Sequence, residues 1–133
     1  MSYIENMFSN QGKVALVTGS GSGMGVAFAH ALAKSGAKVI CAARRLDKVQ
    51  QVADDINAAG GTAAALALDI GDTESVTNVF NCAEEVFGTV DILVNNAGQI
   101  QFKPFPDIDD EEWINLLNVN LTGTMRMARD FSK

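Results

Sequence analysis

Four short apolar runs recur along the chain, at residues 13–18 (KVALVT), 37–42 (AKVICA), 62–68 (TAAALAL) and 90–94 (VDILV). The segments between them are far too long for hairpin loops, so neighbouring strands must pair parallel through right-handed crossovers. Those segments also carry helical periodicity. Residues 24–35 place Ala27, Phe28, Ala31 and Leu32 on one stripe. Residues 46–59 form a second helix, and a third starts at Asp72 or Thr73 with Val76, Val79, Phe80, Ala83 and Phe87 on its stripe. Gly36, the pair Gly60 and Gly61, and Gly88 supply the stops. Pro104 and Pro106 mark an irregular loop, after which residues 111–131 read as a last helix.

Strands alternating with helices of this length define an α/β fold, a doubly wound parallel sheet of Rossmann-like type with helices on both faces. With four strands it is incomplete, and residues 1–133 read as a single domain. The last helix stands apart. Trp113, Ile114, Leu116, Leu117, Val119, Leu121, Met125, Met127 and Phe131 leave little of its circumference polar, which predicts burial on more than one side.

Composition narrows the partners. A net charge of −6 with no basic cluster argues against nucleic acid, which needs Lys and Arg to neutralise phosphates. The densest charge run, residues 107–112, is acidic and stands where acids favour a helix start. His30 is the only histidine, and Cys41 and Cys82 are far apart, so a metal site lacks ligands. Cys41 sits in an apolar run as a small core residue. No run approaches the ~20 apolar residues of a membrane span. The amino terminus, with Glu5, lacks the basic start and apolar core of a secretory signal. The expectation is a soluble, cytoplasmic protein.

Chemistry concentrates in Thr18-Gly19-Ser20-Gly21-Ser22-Gly23-Met24-Gly25, between the first strand and its helix. A glycine turn there lets backbone amides approach a pyrophosphate, and the helix dipole favours its charge. The spacing excludes several nucleotide loops. GxGxxG fails in every register, because its last glycine would fall on Met24, Val26 or Phe28. No GK[ST] follows, so this is not a P-loop. GxGxG matches at residues 19–23, yet Val17-Thr18 stands where methyltransferases of that pattern usually carry an acid. TGxxxGxG fits directly, with Thr18, Gly19, Gly23 and Gly25.

That pattern resembles the short-chain dehydrogenase/reductase family, and three later segments resemble it in order. Asp69 follows the third strand, Asn95-Asn96-Ala97-Gly98 the fourth, and Asn118-Val119-Asn120-Leu121-Thr122-Gly123 falls in the last helix. The extended branch of the family would need glycine where this chain has Ser22. The resemblance implies an oxidoreductase that interconverts an alcohol and a ketone by hydride transfer with NAD(P). It implies cofactor contacts from Gly19, Ser20, Ser22, Gly23, Met24 and Gly25, from Asp69 and Ile70, and from Asn96, Ala97 and Gly98, with Asn120 as the active-site asparagine.

Cofactor choice is read where the second strand ends. NAD enzymes place an acid there for the ribose 2′-hydroxyl, and NADP enzymes an arginine for the 2′-phosphate. Ala43 holds the acidic position, followed by Arg44 and Arg45, so NADP(H) is favoured with Arg44 the main contact. The plain alternative is two solvated arginines at a helix start.

The family's serine and YxxxK motif have no counterpart in these residues. The one tyrosine, Tyr3, is followed four places on by Met7. Two readings stay open: part of a longer oxidoreductase, inactive alone, or a complete nucleotide-binding or interaction module. Either leaves the fourth-strand edge and an apolar helix face open, so self-association or binding of a complementary carboxy-terminal half is expected. Phe102 and Phe105 either line a substrate pocket or cover the end of the sheet.

Overall fold

The computed structural model describes all 133 residues. A four-stranded parallel sheet has the order β3-β2-β1-β4, formed by β1 (Val14–Thr18), β2 (Lys38–Ala43), β3 (Thr62–Ala67) and β4 (Ile92–Val94). After a short α1 (Tyr3–Phe8), α2 (Gly23–Lys34) and α3 (Leu46–Ala58) alternate with the strands. Then come α4 (Thr73–Phe87), α5 (Asp110–Leu117), a π-helical segment Asn118–Gly123 and α6 (Thr124–Phe131).

β1 is buried at every position because helices cover both faces of the sheet. The two-residue pleat divides the core. Ala15, Val17, Val39 and Cys41 pack with Ala29, Val49, Val52, Ala53 and Ile56 of α2 and α3. Leu16, Ile40 and Ala42 face the other way, onto Val76, Val79 and Ala83 of α4 and Met127 of α6. Leu16 and Ile40 are fully buried, and each stabilises the fold by about 2 kcal/mol through removal from water.

The structure corrects the sequence reading in four places. First, α2 turns a different face inward: Gly25 and Ala29 are buried, whereas Ala27 and Ala31 are exposed and Phe28 is 39% exposed. The cause is backbone contact. A Cβ at position 25 would lie 2.3 Å from the Gly19 carbonyl oxygen, so only glycine lets the helix seat there, and that contact sets its rotation. Second, β4 begins at Ile92 rather than Val90, with the Asp91 carboxylate accepting the Val14 amide at 2.9 Å. Third, the last helix widens into π geometry over Asn118–Gly123, with one side on the core and the other left open, the side the sequence assigns to a further unit or a second subunit. Gly123 and Met127 face the core, while Trp113, Ile114, Leu117, Leu121 and Met125 are exposed. Fourth, α1 was not anticipated. It is held by a capping box in which Ser2 Oγ accepts the Glu5 amide and the Glu5 carboxylate accepts the Ser2 amide.

Gly25→Ala is therefore expected to cost about 2 kcal/mol through overpacking against backbone. Phe28→Ala should cost less than about 1 kcal/mol, as a part-exposed site does. Urea denaturation of the two variants checks this, and the reverse order would restore the apolar-stripe reading of α2.

Candidate functional site

A parallel sheet binds ligands beyond the carboxyl ends of its strands, where the strand order changes direction. Here that point lies between β1, which runs on to β2, and β4 on its other side. The glycine loop leaves β1 at this point and is fixed on two sides. Toward β4, Thr18 Oγ1 accepts the Asn96 and Ala97 amides at 3.0 and 2.9 Å, and Asn96 Nδ2 donates to the Thr18 and Gly19 carbonyls at 3.2 Å each. Toward β2, Ser20 Oγ donates to the Val17 carbonyl at 2.8 Å and accepts the Ala42 amide at 2.9 Å. Gly19 and Gly23 adopt positive φ, at 63° and 58°, which lets the loop reverse and enter α2.

Above the loop lies a cleft of about 430 Å³. Gly19, Gly21 and Ser22 form its floor. Ala43, Arg44, Arg45 and Lys48 line it from the end of β2 and the start of α3, Leu68, Asp69 and Ile70 from the turn after β3, and Ala97, Gly98 and Gln99 from the loop after β4, with Val119 of the π-helical segment beside Gly71. Of the residues singled out from sequence, Gly19, Ser22, Arg44, Arg45, Asp69, Ile70, Ala97 and Gly98 thus meet around one cavity. Gly23, Met24 and Gly25 lie at the start of α2, whose amides receive no side-chain cap. The Ser20 and Asn96 side chains are committed to protein partners and shape the loop instead of facing the cleft. Asn120 does not line it either, and its amide grips the Gln99 backbone, accepting from N–H at 2.6 Å and donating to C=O at 2.7 Å.

Lys48 was missed by the sequence reading. Its Cβ sits 3.1 Å from where a Cβ on Gly21 would be, beside the loop. The spacing Arg44-Arg45-x-x-Lys48 at a helix start was the available signal, since residues three and four apart on a helix share a face. Three cations therefore ring one end of the cleft. Arg45 is paired with Asp47 at 3.1 Å, on side chains that are both largely exposed. Arg44 and Lys48 take part in none of the chain's four ion pairs. Phe102 and Phe105 are 92% and 79% exposed, so in these residues they cover neither a pocket nor the sheet end.

The chain belongs to the short chain dehydrogenase family, whose sequence profile matches residues 13–133. Versicolorin reductase of Emericella nidulans is 39% identical over 120 residues, which is 90% of this chain and 46% of that protein. A short-chain type dehydrogenase/reductase from Mycobacterium marinum superimposes with a TM-score of 0.93 at 34% identity, over 99% of this chain and 53% of that one. A metagenomic short-chain oxidoreductase solved in complex with NADP gives a TM-score of 0.86 at 36% identity, covering 92% of this chain and 56% of the other. The chain spans about half the length of the curated relatives it matches, 46% and 50% for the first two. No helix is long and apolar enough to cross a membrane.

Cys41 lies on the strand that Ser20 staples, and burial pushes its thiol from the usual 9.0 up to about 11, against the lowering effect of a hydrogen bond with Ser20. The folded chain holds this proton while the unfolded chain releases it from about pH 9, so stability falls as pH rises from about 9 to 11. Under native conditions at pH 8, iodoacetamide should modify exposed Cys82 and spare buried Cys41 until the chain unfolds. Peptide mass mapping checks this, and equal labelling of both thiols would contradict the packed loop.

Proposed function

We propose that this chain is the NADP(H)-binding part of an oxidoreductase that interconverts an alcohol and a ketone. The observation that carries the reading is the convergence on one cleft of a glycine floor, a helix amino terminus without side-chain cap, Asp69, and three cations at the β2 end. The floor and the α2 amides suit a pyrophosphate, and Asp69 with Ile70 suits the base. Ala43 offers no carboxylate to a ribose 2′-hydroxyl, whereas Arg44 and Lys48 are free to meet a 2′-phosphate. Arg45, already paired with Asp47, is the secondary contact.

A bound nicotinamide would supply or take up the hydride at the carbonyl carbon, and the accompanying proton would go to or come from the oxygen. By family resemblance that proton belongs to a tyrosine assisted by a lysine and a serine, which these residues do not supply. Asn120 is the one member of that set present, in a supporting role. Its grip on Gln99 holds the loop after β4 against the π-helical segment. The 133 residues alone should therefore bind cofactor without turnover.

The exposed stripe of Trp113, Ile114, Leu117, Leu121 and Met125, together with the free edge of β4, supports the reading that the chain associates with a second copy or a complementary carboxy-terminal half. The whole protein is proposed to act on a small carbonyl or alcohol, with neither nucleic acid nor membrane as partner.

Two measurements test this reading. Nicotinamide fluorescence titration should show Arg44→Ala weakening NADPH about 10- to 100-fold, as loss of a charge-assisted hydrogen bond does, with NADH little changed. Equal losses for both cofactors would remove the 2′-phosphate role. In sedimentation at micromolar concentration the chain should exceed its monomer mass of 14.1 kDa, and a monodisperse monomer would contradict the association.

A further inference from the structure

The hydrogen bonds around Asp69 continue through the wall of the cleft into the last helix. Asp69 Oδ1 accepts the Gly71 amide at 2.9 Å, while the Asp69 amide donates to Ser75 Oγ at 2.9 Å. The peptide that carries this Gly71 amide has its carbonyl on Ile70, and that oxygen accepts from Arg126 Nη1 at 3.2 Å. The same nitrogen donates to Asn118 Oδ1 at 2.9 Å, and Asn118 Nδ2 donates to the Gly71 carbonyl at 3.0 Å. Two side chains of the π-helical segment and α6 thus hold two successive carbonyls of the turn that carries Asp69. Gly123 completes the seat, since a Cβ there would lie 2.8 Å from the Ile70 carbonyl oxygen.

Arg126 is half-buried and takes part in no ion pair, and its two acceptors in the protein are neutral oxygens. What the guanidinium does is directional. It draws on the Ile70 carbonyl and so strengthens the Gly71 N–H as a donor to Asp69 Oδ1. Asp69 Oδ2 accepts no hydrogen bond from the protein and is left available.

We propose that Asn118 and Arg126 are positioning residues that aim the Asp69 carboxylate at a 6-amino purine, and so set which base the cleft accepts. This rests on the dinucleotide reading of the cleft. One oxygen is fixed by Gly71 and the other accepts from an exocyclic amino group. A 6-oxo purine brings an oxygen to the same place and is repelled.

The test is fluorescence titration of the 133-residue chain with NADPH and with its hypoxanthine counterpart, alongside thermal unfolding. The unchanged chain should prefer NADPH by about tenfold, the worth of one charge-assisted hydrogen bond. Arg126→Met and Asn118→Asp should each cut that preference to about threefold or less, mainly by weakening NADPH. Arg126→Lys should restore part of it. Asn118→Asp keeps an acceptor for Arg126 but sets a charged acceptor oxygen where the donor to the Gly71 carbonyl was, so it releases that carbonyl with Arg126 in place and carries the test if Arg126→Met does not fold. Folded variants that keep the full preference, or that weaken both nucleotides equally, overturn the proposal. An unchanged chain that binds both nucleotides equally overturns it too. An unchanged chain that binds neither overturns the cofactor reading itself, together with what rests on it.

Discussion

The Gly19 carbonyl oxygen lies where a side chain on residue 25 would begin, and most of the site follows from that contact. With no side chain at 25, α2 descends onto the end of β1 until backbone meets backbone. Its first amides then lie over the mouth of the sheet, and Ala29 follows into the core. Had the larger apolar residues of α2 faced inward, the helix would stand further off and its amino terminus would leave the cleft. Core packing gives way here to loop geometry, which is why Met24 stays largely outside and Phe28 partly so.

The loop held by that contact is tied to both neighbours of β1 by side chains that do not enter the cleft. Thr18 and Asn96 bind it to the end of β4, and Ser20 binds it to β2. Small hydroxyl and amide groups suit this task because each can donate and accept within one turn of chain. The cleft is therefore bounded by main chain on its floor, with charge confined to the β2 end and to Asp69.

Much of this was legible in the sequence. Four apolar runs and the glycine stops were enough for the strands, their parallel pairing and most of the helices, because the two-residue and 3.6-residue periods differ clearly. The glycine loop, Asp69 and the Asn96-Ala97-Gly98 segment were legible because each pairs a special backbone shape with an uncommon residue pattern. What escaped depends on contacts distant in sequence. The face of α2 is decided by Gly19, not by the helix's own apolar stripe. Ser20 could be seen as a loop residue, but its inward turn depends on Ala42, in the next strand. Lys48 hid in an ordinary helix start. The π-helical segment has no signature in its residue types, because its widening comes from the demands of Ile70, Gly71 and Gln99 on either side.

The widened segment also has a bearing on how such a chain can change length during evolution. A π-helical segment is an α-helix carrying a surplus residue. Each residue added to or removed from a helix turns everything beyond it by about 100°. Confined to one wide turn, the surplus leaves the helix on either side in phase. Loss of one position between 118 and 123 would therefore relax the segment to ordinary α geometry and leave Met127 facing the core. A residue lost within Thr124–Met127 has no such turn to absorb it and would swing the rest of α6 round, an exposed position replacing the buried one. The widened turn is thus the one stretch of this continuous helix that can shorten without turning its inner face outward.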